Sequence, residues 1–325
     1  MKNQHQELIS ASNLNRFELS FLLLKIRAIY ELGKPRVMSL LLIATGCPMI
    51  LAAGGRIDYF AIIIAVIGGA LVSSSASVIN CIWDMDIDRL MSRTKNRPLV
   101  QGIVSPGFAA VYSFVLGMAG LFLLSKFLNP LASFLALLGH LFYVLIYTMW
   151  LKRATPQNIV IGGAAGAVPP LVGWAAMTGK IELQAFMLFL LIFLWTPPHF
   201  WALALNKNED YRLAGIPMLP VVAGERATHL QMLCYSVSLL PVSMLLALSD
   251  SHLSMFSLFV FLSAGSYFVW QNYSLLCLGR KLPSPEIEER KVRLAWRIFG
   301  FSIVYLSLIF FTIVVDSVFI FRFYQ

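Results

Sequence analysis

The residues of this chain whose types and spacing could do chemistry are concentrated between positions 80 and 98. The segment directly follows an apolar run that ends at Ile79. If the helix of that run continues for two more turns, Asn80, Asp84 and Asp88 share one face, about 6 Å apart along the axis. Asp86 lies off this face. An amide and two carboxylates on one face offer oxygen ligands suited to Mg²⁺, which binds through one or two carboxylates plus substrate phosphates.

Basic residues follow the acidic ones in the same segment. Arg93 and Arg97 come shortly after Asp88, and Pro98 ends any remaining helix. Guanidinium groups suit phosphate oxygens, so the segment predicts a Mg²⁺-diphosphate site with Asp84, Asp88, Arg93 and Arg97 as its catalytic residues. The alternative is a solvated charged loop at a membrane edge. The regular four-residue spacing favours a site, because acidic residues near lipid are costly and usually functional.

The composition determines which elements must position these residues. The chain has 325 residues, of which 58% are hydrophobic and 13% charged, and its mean hydropathy is +0.76. Such a chain is a polytopic membrane protein rather than a soluble domain. Apolar runs long enough to span a bilayer, about 20 residues each, predict an all-α protein with nine transmembrane helices, near 37–53, 59–79, 107–125, 130–150, 158–177, 183–205, 228–248, 254–278 and 298–316.

These runs divide the chain and orient it. We expect a cytoplasmic N-terminal tail over 1–36 with an amphipathic basic stretch, a membrane domain over 37–316, and a short non-cytoplasmic tail over 317–325. With a cytoplasmic N-terminus, 21 of the 25 basic residues fall on the cytoplasmic side, as the positive-inside rule requires. No soluble basic domain is present, which excludes a nucleic-acid partner. The polar N-terminal tail is short for a transit peptide, which favours a bacterial inner membrane.

Two further connections on the expected cytoplasmic side carry polar residues. Lys152 and Arg153 follow the fourth run, where they could anchor a helix end at the interface or complete a diphosphate clamp with Arg93 and Arg97. Asn206 and Asp210 repeat the four-residue spacing of the first segment at lower strength.

His199 stands out among the five histidines. A lone histidine in an apolar helix is usually a hydrogen-bonded core residue. Here Pro197 and Pro198 precede it and Trp195 and Trp201 flank it, and helices broken by proline line cavities rather than face lipid. His140, in the middle of the fourth run, is the weaker candidate.

The motifs together resemble a known family. The pattern Asn80-x-x-x-Asp84-x-x-x-Asp88 is similar to the first aspartate-rich motif of the UbiA-type intramembrane prenyltransferases. The longer string 80–99, with Asp-x-Asp-Ile-Asp and Arg-Thr-x-x-Arg-Pro-Leu, resembles their protohaem IX farnesyltransferase branch. The Pro-Pro-His-Phe segment and the stretch that begins at Asp210 also match that branch. The resemblance extends from Lys34 to Gly224, and the rest matches in topology only.

The resemblance implies a fold, a reaction and roles for residues. It implies a UbiA-type fold and transfer of a farnesyl group from farnesyl diphosphate to the vinyl group of protohaem IX. Mg²⁺ would be held by Asn80, Asp84, Asp88 and Asp210. Diphosphate would be bound by Arg93, Arg97, Lys152 and Arg153, and protohaem by His199. Only Asp210 is secure in the second motif, where the superfamily often has two or more aspartates.

Partners and alternatives follow from the same reasoning. The use of the product implies haem A synthase or a terminal oxidase assembly as a partner, besides the lipid bilayer. One alternative is a sister prenyltransferase with another aromatic or tetrapyrrole acceptor. A second, of another class, is a secondary transporter, although transporters place ionisable residues near the midplane of matched repeats.

Overall fold

The computed structural model of the protein describes residues 23–320, and this part of the chain is helical without any strand. The predicted all-α class is therefore confirmed. The N-terminal tail up to residue 22 and residues 321–325 lie outside the described residues. The helices are α1 (23–32), α2 (Pro35–Ala52), α3 (Tyr59–Trp83), α4 (Met85–Asp88), α5 (Pro106–Phe127), α6 (Pro130–Leu141), α7 (Lys152–Ala154), α8 (Asn158–Ala167), α9 (Pro169–Thr178), α10 (Leu183–Asn206), α11 (Asn208–Leu213), α12 (Leu219–Ser249), α13 (Met255–Leu278) and α14 (Pro285–Val315).

Two π-helical segments extend these elements. Phe142–Leu151 joins α6 to α7 in one continuous rod, and Asp316–Ile320 continues α14. Each of the nine predicted apolar runs falls on a helical element. Within residues 23–320, seven helices are long and apolar enough to cross a membrane, and α2 contributes only a shorter apolar helix. The protein is thus a multi-pass membrane protein, while the count of nine spans stays a prediction.

Helices begin where the sequence supplies an N-terminal cap. The side chains of Asp58, Ser105 and Asn129 accept hydrogen bonds from the backbone N–H three residues later, at 3.0, 3.3 and 2.9 Å. Proline follows the caps of α5 and α6 at the first helical position, where its missing N–H has no intrahelical partner to lose. These caps explain why the spanning helices start at the predicted positions.

Glycines let the helices approach closely. A Cβ on Gly120 of α5 would stand 2.7 Å from the carbonyl oxygen of Gly68 on α3. In α8, a Cβ on Gly162 would stand 2.2 Å from the ring of Tyr147, and one on Gly163 would stand 2.9 Å from Thr196. Small residues at helix crossings are typical of membrane bundles. In α8 they set how closely this helix approaches the segment of Tyr147 and helix α10.

Two prolines and one glycine shape the second half of the bundle. Pro197 and Pro198 lie inside α10, which nevertheless continues as one helix from Leu183 to Asn206. The expectation of a broken helix before His199 is therefore wrong, because neighbouring helices hold the segment helical. A kink occurs instead in α12 at Gly224, whose φ of 78° is accessible mainly to glycine.

The largest core lies between α10, α12, α13 and α14. Its fully buried large side chains are Trp201, Phe261, Phe268, Tyr305 and Phe310. These four helices form a rigid aromatic half. The first polar motif lies at the far end of α3, in the other half.

Candidate active site

The helix that carries the first motif is interrupted at Asp84. Trp83 is the last residue of α3, and Asp84 adopts φ −91° and ψ 6° before the single turn of α4. The expected uninterrupted helix is thus wrong in detail. Backbone hydrogen bonds still run from Asp84 N to Asn80 O at 3.0 Å and from Asp88 N to Asp84 O at 2.8 Å, so the four-residue register survives.

Burial separates the three motif residues from their neighbour. Asn80, Asp84 and Asp88 are 3%, 0% and 2% exposed, whereas the Asp86 side chain is 62% exposed. The sequence placed Asp86 off the shared face, and the structure confirms this. Buried carboxylates require partners, and basic residues from three segments supply them.

Asp84 is the most enclosed carboxylate of the site. Its Oδ2 pairs with the ammonium of Lys152 and accepts a hydrogen bond of 2.7 Å from Asn80. Its Oδ1 lies 3.7 Å from Nη2 of Arg153, and this buried oxygen accepts no hydrogen bond. Apart from this ion pair the oxygen has no donor, which leaves it room to bind a further cation.

Asp88 pairs with the guanidinium of Arg97. Thr94, which is also buried, donates a hydrogen bond of 3.0 Å to the backbone oxygen of Asp88. These two contacts fold the turns after α4 back against the carboxylates and place Arg97 beside Asp88.

Arg153 lies at the edge of the site. It donates two hydrogen bonds of 2.7 Å to Asp86 and one of 3.1 Å to the carbonyl oxygen of Trp83. The hydrogen bonds from Arg153 lower the pKa of Asp86 to about 2. Asp86 therefore holds Arg153 in position, and Trp83 is itself 46% exposed, outside the enclosed part of the site.

Lys34 was not among the predicted site residues. It donates a hydrogen bond of 2.7 Å to Oδ1 of Asn80 and has φ 53° and ψ 56°, the only non-glycine positive φ in the described chain. Burial lowers the pKa of Lys34 to about 8. Left-handed non-glycine residues cluster at functional sites. The Lys-Pro pair before α2 was the available signal.

The second motif is close to the first but does not join it into one acidic cluster. Asp210 accepts a hydrogen bond of 2.6 Å from Ser92, four residues after Asp88. Among the described residues, no group of three or more acidic, histidine or cysteine side chains has a metal-binding arrangement. The amide oxygens of Asn206 and Asn208 are buried without a hydrogen-bond partner. Their burial could not be read from the sequence.

Arg93 faces the second motif rather than the first. It interacts with the hydroxyl of Tyr211, and burial of Tyr211 raises the pKa of this hydroxyl despite the opposing charge of Arg93. On the other side of the site, Thr148 is fully buried and accepts a hydrogen bond of 3.3 Å from Asn80. Thr148 precedes Lys152 by four residues, which is the spacing that could have revealed it.

His199 lies in an aromatic cluster between α10 and α14. Its ring stacks on Trp195 with 4.3 Å between centroids and on Phe299 with 4.7 Å, and Phe200 meets it edge-on at 5.1 Å. Nδ1 is 2.6 Å from the hydroxyl of Ser302. These contacts fix the ring plane and leave Nε2 as the nitrogen available to a ligand.

His140 has a partner in the bundle. Its Nδ1 is 3.3 Å from the carbonyl oxygen of Val72 on α3, as in an ordinary core histidine. The structure therefore separates the two histidine candidates by their surroundings.

The chemistry of the donors fits a hard cation. Asp84 and Asp88 supply carboxylates, Asn80, Asn206 and Asn208 supply amide oxygens, and three of these side chains present a buried oxygen with no protein hydrogen bond. Oxygen-only donor sets suit Mg²⁺, which also keeps waters and takes substrate phosphates.

Sequence comparison identifies relatives along most of the chain. The UbiA prenyltransferase family matches residues 39–280. A protoheme IX farnesyltransferase of Gloeobacter violaceus is 46% identical over 90% of this chain and 92% of its own length. A protoheme IX farnesyltransferase of Symbiobacterium thermophilum is 44% identical over 90% of this chain and 94% of its own.

Solved structures share the fold. A digeranylgeranylglyceryl phosphate synthase structure superposes with a TM-score of 0.72 at 20% identity, covering 90% of this chain and 99% of that one. A UbiA homolog from Archaeoglobus fulgidus bound to DMAPP and Mg²⁺ gives a TM-score of 0.58 at 17% identity, covering 86% and 99%. At these identities the likeness speaks for the fold alone.

Proposed function

Because the chain belongs to the UbiA prenyltransferase family, we propose that it transfers the farnesyl group of farnesyl diphosphate to the vinyl group of protohaem IX. The enzyme is a prenyltransferase, and relatives of 44–46% identity along nine-tenths of the chain act on protohaem by name. Membership in a family of transferases argues against the secondary transporter.

The burial and pairing of Asp84 and Asp88 support the proposal at the level of individual residues. Asp84 and Asp88 are buried and paired with cations, Asp84 with Lys152 and Arg153 and Asp88 with Arg97, yet Oδ1 of Asp84 has no hydrogen-bond donor. A buried ion pair is weak support for stability, because desolvation offsets the attraction. Buried ion pairs that are kept despite this desolvation cost indicate a functional site, in which the cations leave the carboxylates for the substrate when it binds.

We infer that the cations bind the diphosphate. Lys152 and Arg97, now on Asp84 and Asp88, would move to phosphate oxygens, and Arg93 and Arg153 would approach from either side. They stabilise the negative charge that develops on the leaving diphosphate as the bond between the farnesyl C1 and oxygen breaks. Electrostatic stabilisation of this kind is often the largest catalytic contribution.

Asn80, Asp84 and Asp88 would hold Mg²⁺, with Asn206, Asn208 or Asp210 facing it from the second motif. When bound, Mg²⁺ supplies Lewis-acid stabilisation of the diphosphate oxygens. Lys34 fixes the amide of Asn80, so that Oδ1 faces the ammonium and Nδ2 faces Asp84 and Thr148. In this arrangement Lys34 occupies the oxygen of Asn80, which becomes available to Mg²⁺ when the ammonium moves away.

The acceptor half of the reaction concerns His199. We infer that its Nε2 contacts protohaem, as an axial iron ligand available to imidazole, while Trp195 and Phe299 hold the ring. The vinyl group then attacks C1 of the farnesyl cation and forms the carbon–carbon bond. Water adds its oxygen to the cation left next to the pyrrole, and one proton is released to solvent, which gives a hydroxyethylfarnesyl side chain.

The orientation and location extend the same proposal. In the topology expected from the sequence, 21 of the 25 basic residues fall on the side of the diphosphate site, and Arg56, Lys126, Lys180 and Arg322 fall on the other. By the positive-inside rule the site faces the cytoplasm of a bacterial cell with the protein in its inner membrane. Haem A synthase or a terminal oxidase assembly would receive the product.

Product analysis tests the proposal directly. Purified protein in detergent is incubated with haem b, farnesyl diphosphate and Mg²⁺, and products are separated and weighed by mass spectrometry. We expect farnesylated haem from wild type and none from Asp84→Ala. Transfer to another aromatic acceptor but not to haem would keep the diphosphate site and reject the acceptor.

A further inference from the structure

A basic pocket lies on the outer surface of the bundle, away from the residues assigned to the reaction. It has a volume of about 390 Å³ and lies between the end of α13 and the beginning of α14. Its lining residues are Ser274, Leu278, Arg290, Arg293, Leu294 and Arg297. The two leucines give it an apolar wall, and the three arginines give it a positive rim.

The arginines lie on one face of α14 and are incompletely neutralised. Positions 290, 293 and 297 follow the three- and four-residue spacing of a helix face. Arg290 is 3.8 Å from Glu286 and Arg293 is 3.1 Å from Glu289, pairs that are exposed and therefore weak. Within residues 23–320, Arg297 forms no ion pair. The pocket thus offers guanidinium donors to an external anion.

The same face of α14 becomes apolar beyond Arg297. Phe301 contacts the ring of Tyr267 on α13 at 4.7 Å, and Val304, Leu308 and Phe311 follow on that face with exposed side chains. Their spacing of three and four residues continues the row of arginines. A ligand seated here therefore meets positive charge at one end and an exposed apolar helix face along the rest.

A salt bridge fixes the end of the bundle at which this pocket lies. Lys291 pairs with Glu225 at 2.6 Å and with Glu288 at 2.8 Å. Glu225 lies near the start of α12, which follows the segment of Asp210, so the basic part of α14 is at the same end as the aspartates. Exposed Trp270 and Tyr273 on α13 and Trp296 on α14 lie within four positions of lining residues in the chain, and aromatic residues are typical of a membrane interface.

We propose that this pocket binds the phosphate of an anionic phospholipid, with the acyl chains lying along the exposed apolar face of α14. A guanidinium rim suits a phosphate from either a lipid headgroup or a free anion. The apolar continuation of the face selects the lipid, because a free phosphate has nothing to place there. Basic pockets between helices on this side of a membrane are suited to anionic headgroups.

Lipid retention measured by native mass spectrometry tests the assignment. Wild type, Arg297→Gln and the double variant Arg293→Gln/Arg297→Gln are titrated in neutral detergent with phosphatidylglycerol, phosphatidylethanolamine and inorganic phosphate. Each arginine contributes about fivefold to headgroup affinity, so we expect about fivefold weaker binding of phosphatidylglycerol in the single variant and about twenty-fivefold in the double variant. Phosphatidylethanolamine should bind weakly to all three proteins.

Arg226→Gln is the matched control, since Arg226 is an exposed arginine at the same end of the bundle but outside the pocket. It should bind phosphatidylglycerol as wild type does, and retained prenyl transfer in detergent shows that each variant is folded. Equal affinity of wild type and the double variant overturns the proposal. Equal loss in Arg226→Gln, or displacement of the lipid by millimolar phosphate, overturns the assignment to this pocket or to lipid.

Discussion

Lys34 and Asn80 are joined by a hydrogen bond of 2.7 Å between Nζ and Oδ1, although 46 positions separate them in the chain. The bond connects the start of α2 to the end of α3 and fixes the amide of Asn80. Lys34 keeps a left-handed backbone to reach it. A conformation that costs about 1 kcal/mol is thus retained beside the residues proposed to hold Mg²⁺.

The ammonium and the backbone of Lys34 can be tested separately. We expect Lys34→Met to lower kcat by about tenfold to a hundredfold, because Asn80 loses the donor that orients it. Lys34→Gly also loses the ammonium but relieves the backbone by about 1 kcal/mol. The glycine variant should therefore unfold at a higher temperature than the methionine variant and be equally slow. Wild-type activity in Lys34→Met would contradict the role.

The two buried carboxylates should dominate catalysis. Asp84→Asn and Asp88→Asn each remove one charged donor, and we expect initial rates of product formation to fall by about 10²–10³. Asp86→Asn is the matched control, since Asp86 is exposed and pairs only with Arg153. It should cost less than about threefold. Comparable losses at Asp84 and Asp86 would show that the site was assigned to the wrong carboxylate.

Chelation tests the metal independently of mutation. Excess EDTA should abolish product formation, and Mg²⁺ added beyond the chelator should restore it, because the donors are oxygens that bind this ion reversibly. The haem absorption spectrum of the protein should be unchanged throughout. Undiminished turnover in EDTA would remove Mg²⁺ from the mechanism.

Haem affinity should depend on His199. His199→Ala removes Nε2 and empties the space between Trp195 and Phe299, and we expect a shifted haem absorption band and at least tenfold weaker haem binding. His140→Ala serves as the control, because His140 bonds to a carbonyl oxygen of α3. It should leave the spectrum unchanged. An unaltered haem absorption spectrum in His199→Ala would show that His199 is a packing residue of the core and does not contact haem.

Packing beside the site can be tested at two glycines of α8. Gly162→Ala would place a Cβ 2.2 Å from Tyr147, whereas a Cβ on Gly166 meets no heavy atom within 4 Å. We expect Gly162→Ala to destabilise the protein by about 1–3 kcal/mol and Gly166→Ala to stabilise it by up to about 1 kcal/mol. Thermal unfolding in detergent measures both. A neutral Gly162→Ala would mean that Tyr147 moves freely.

The helices and the first motif could be predicted from the sequence for physical reasons. Apolar runs of spanning length and N-terminal caps such as Ser105 act through neighbouring residues in the chain, so they can be recognised from the sequence alone. The four-residue spacing of Asn80, Asp84 and Asp88 survives because backbone hydrogen bonds carry it across the break at Asp84. The break at Asp84 was not predicted. Polar side chains at a helix end compete for the backbone hydrogen bonds of the helix, and the spacing of residues does not reveal this competition.

Contacts between distant segments could not be predicted. The pairing of Lys152 with Asp84 and of Arg97 with Asp88 depends on which segments pack side by side. The sequence predicted these cations as members of one diphosphate-binding set, without assigning each a partner. Continuity of α10 through Pro197 and Pro198 was missed for a related reason, because surrounding helices outweigh the local preference of proline. The pocket at Arg297 could not be predicted either, because it forms only where α13 and α14 pack side by side.

The end of α3, one residue before Asp84, has a kinetic consequence. The apolar helix α3 ends and the charged segment begins within the site itself. In the proposed mechanism the farnesyl tail would therefore stay in lipid while Lys152 and Arg97 hold its diphosphate. The donor is then a solute of the bilayer, and its relevant concentration is its mole fraction among lipids. At a fixed bulk amount of donor, diluting it with added inert phospholipid should slow the enzyme in proportion, as expected for catalysis confined to two dimensions.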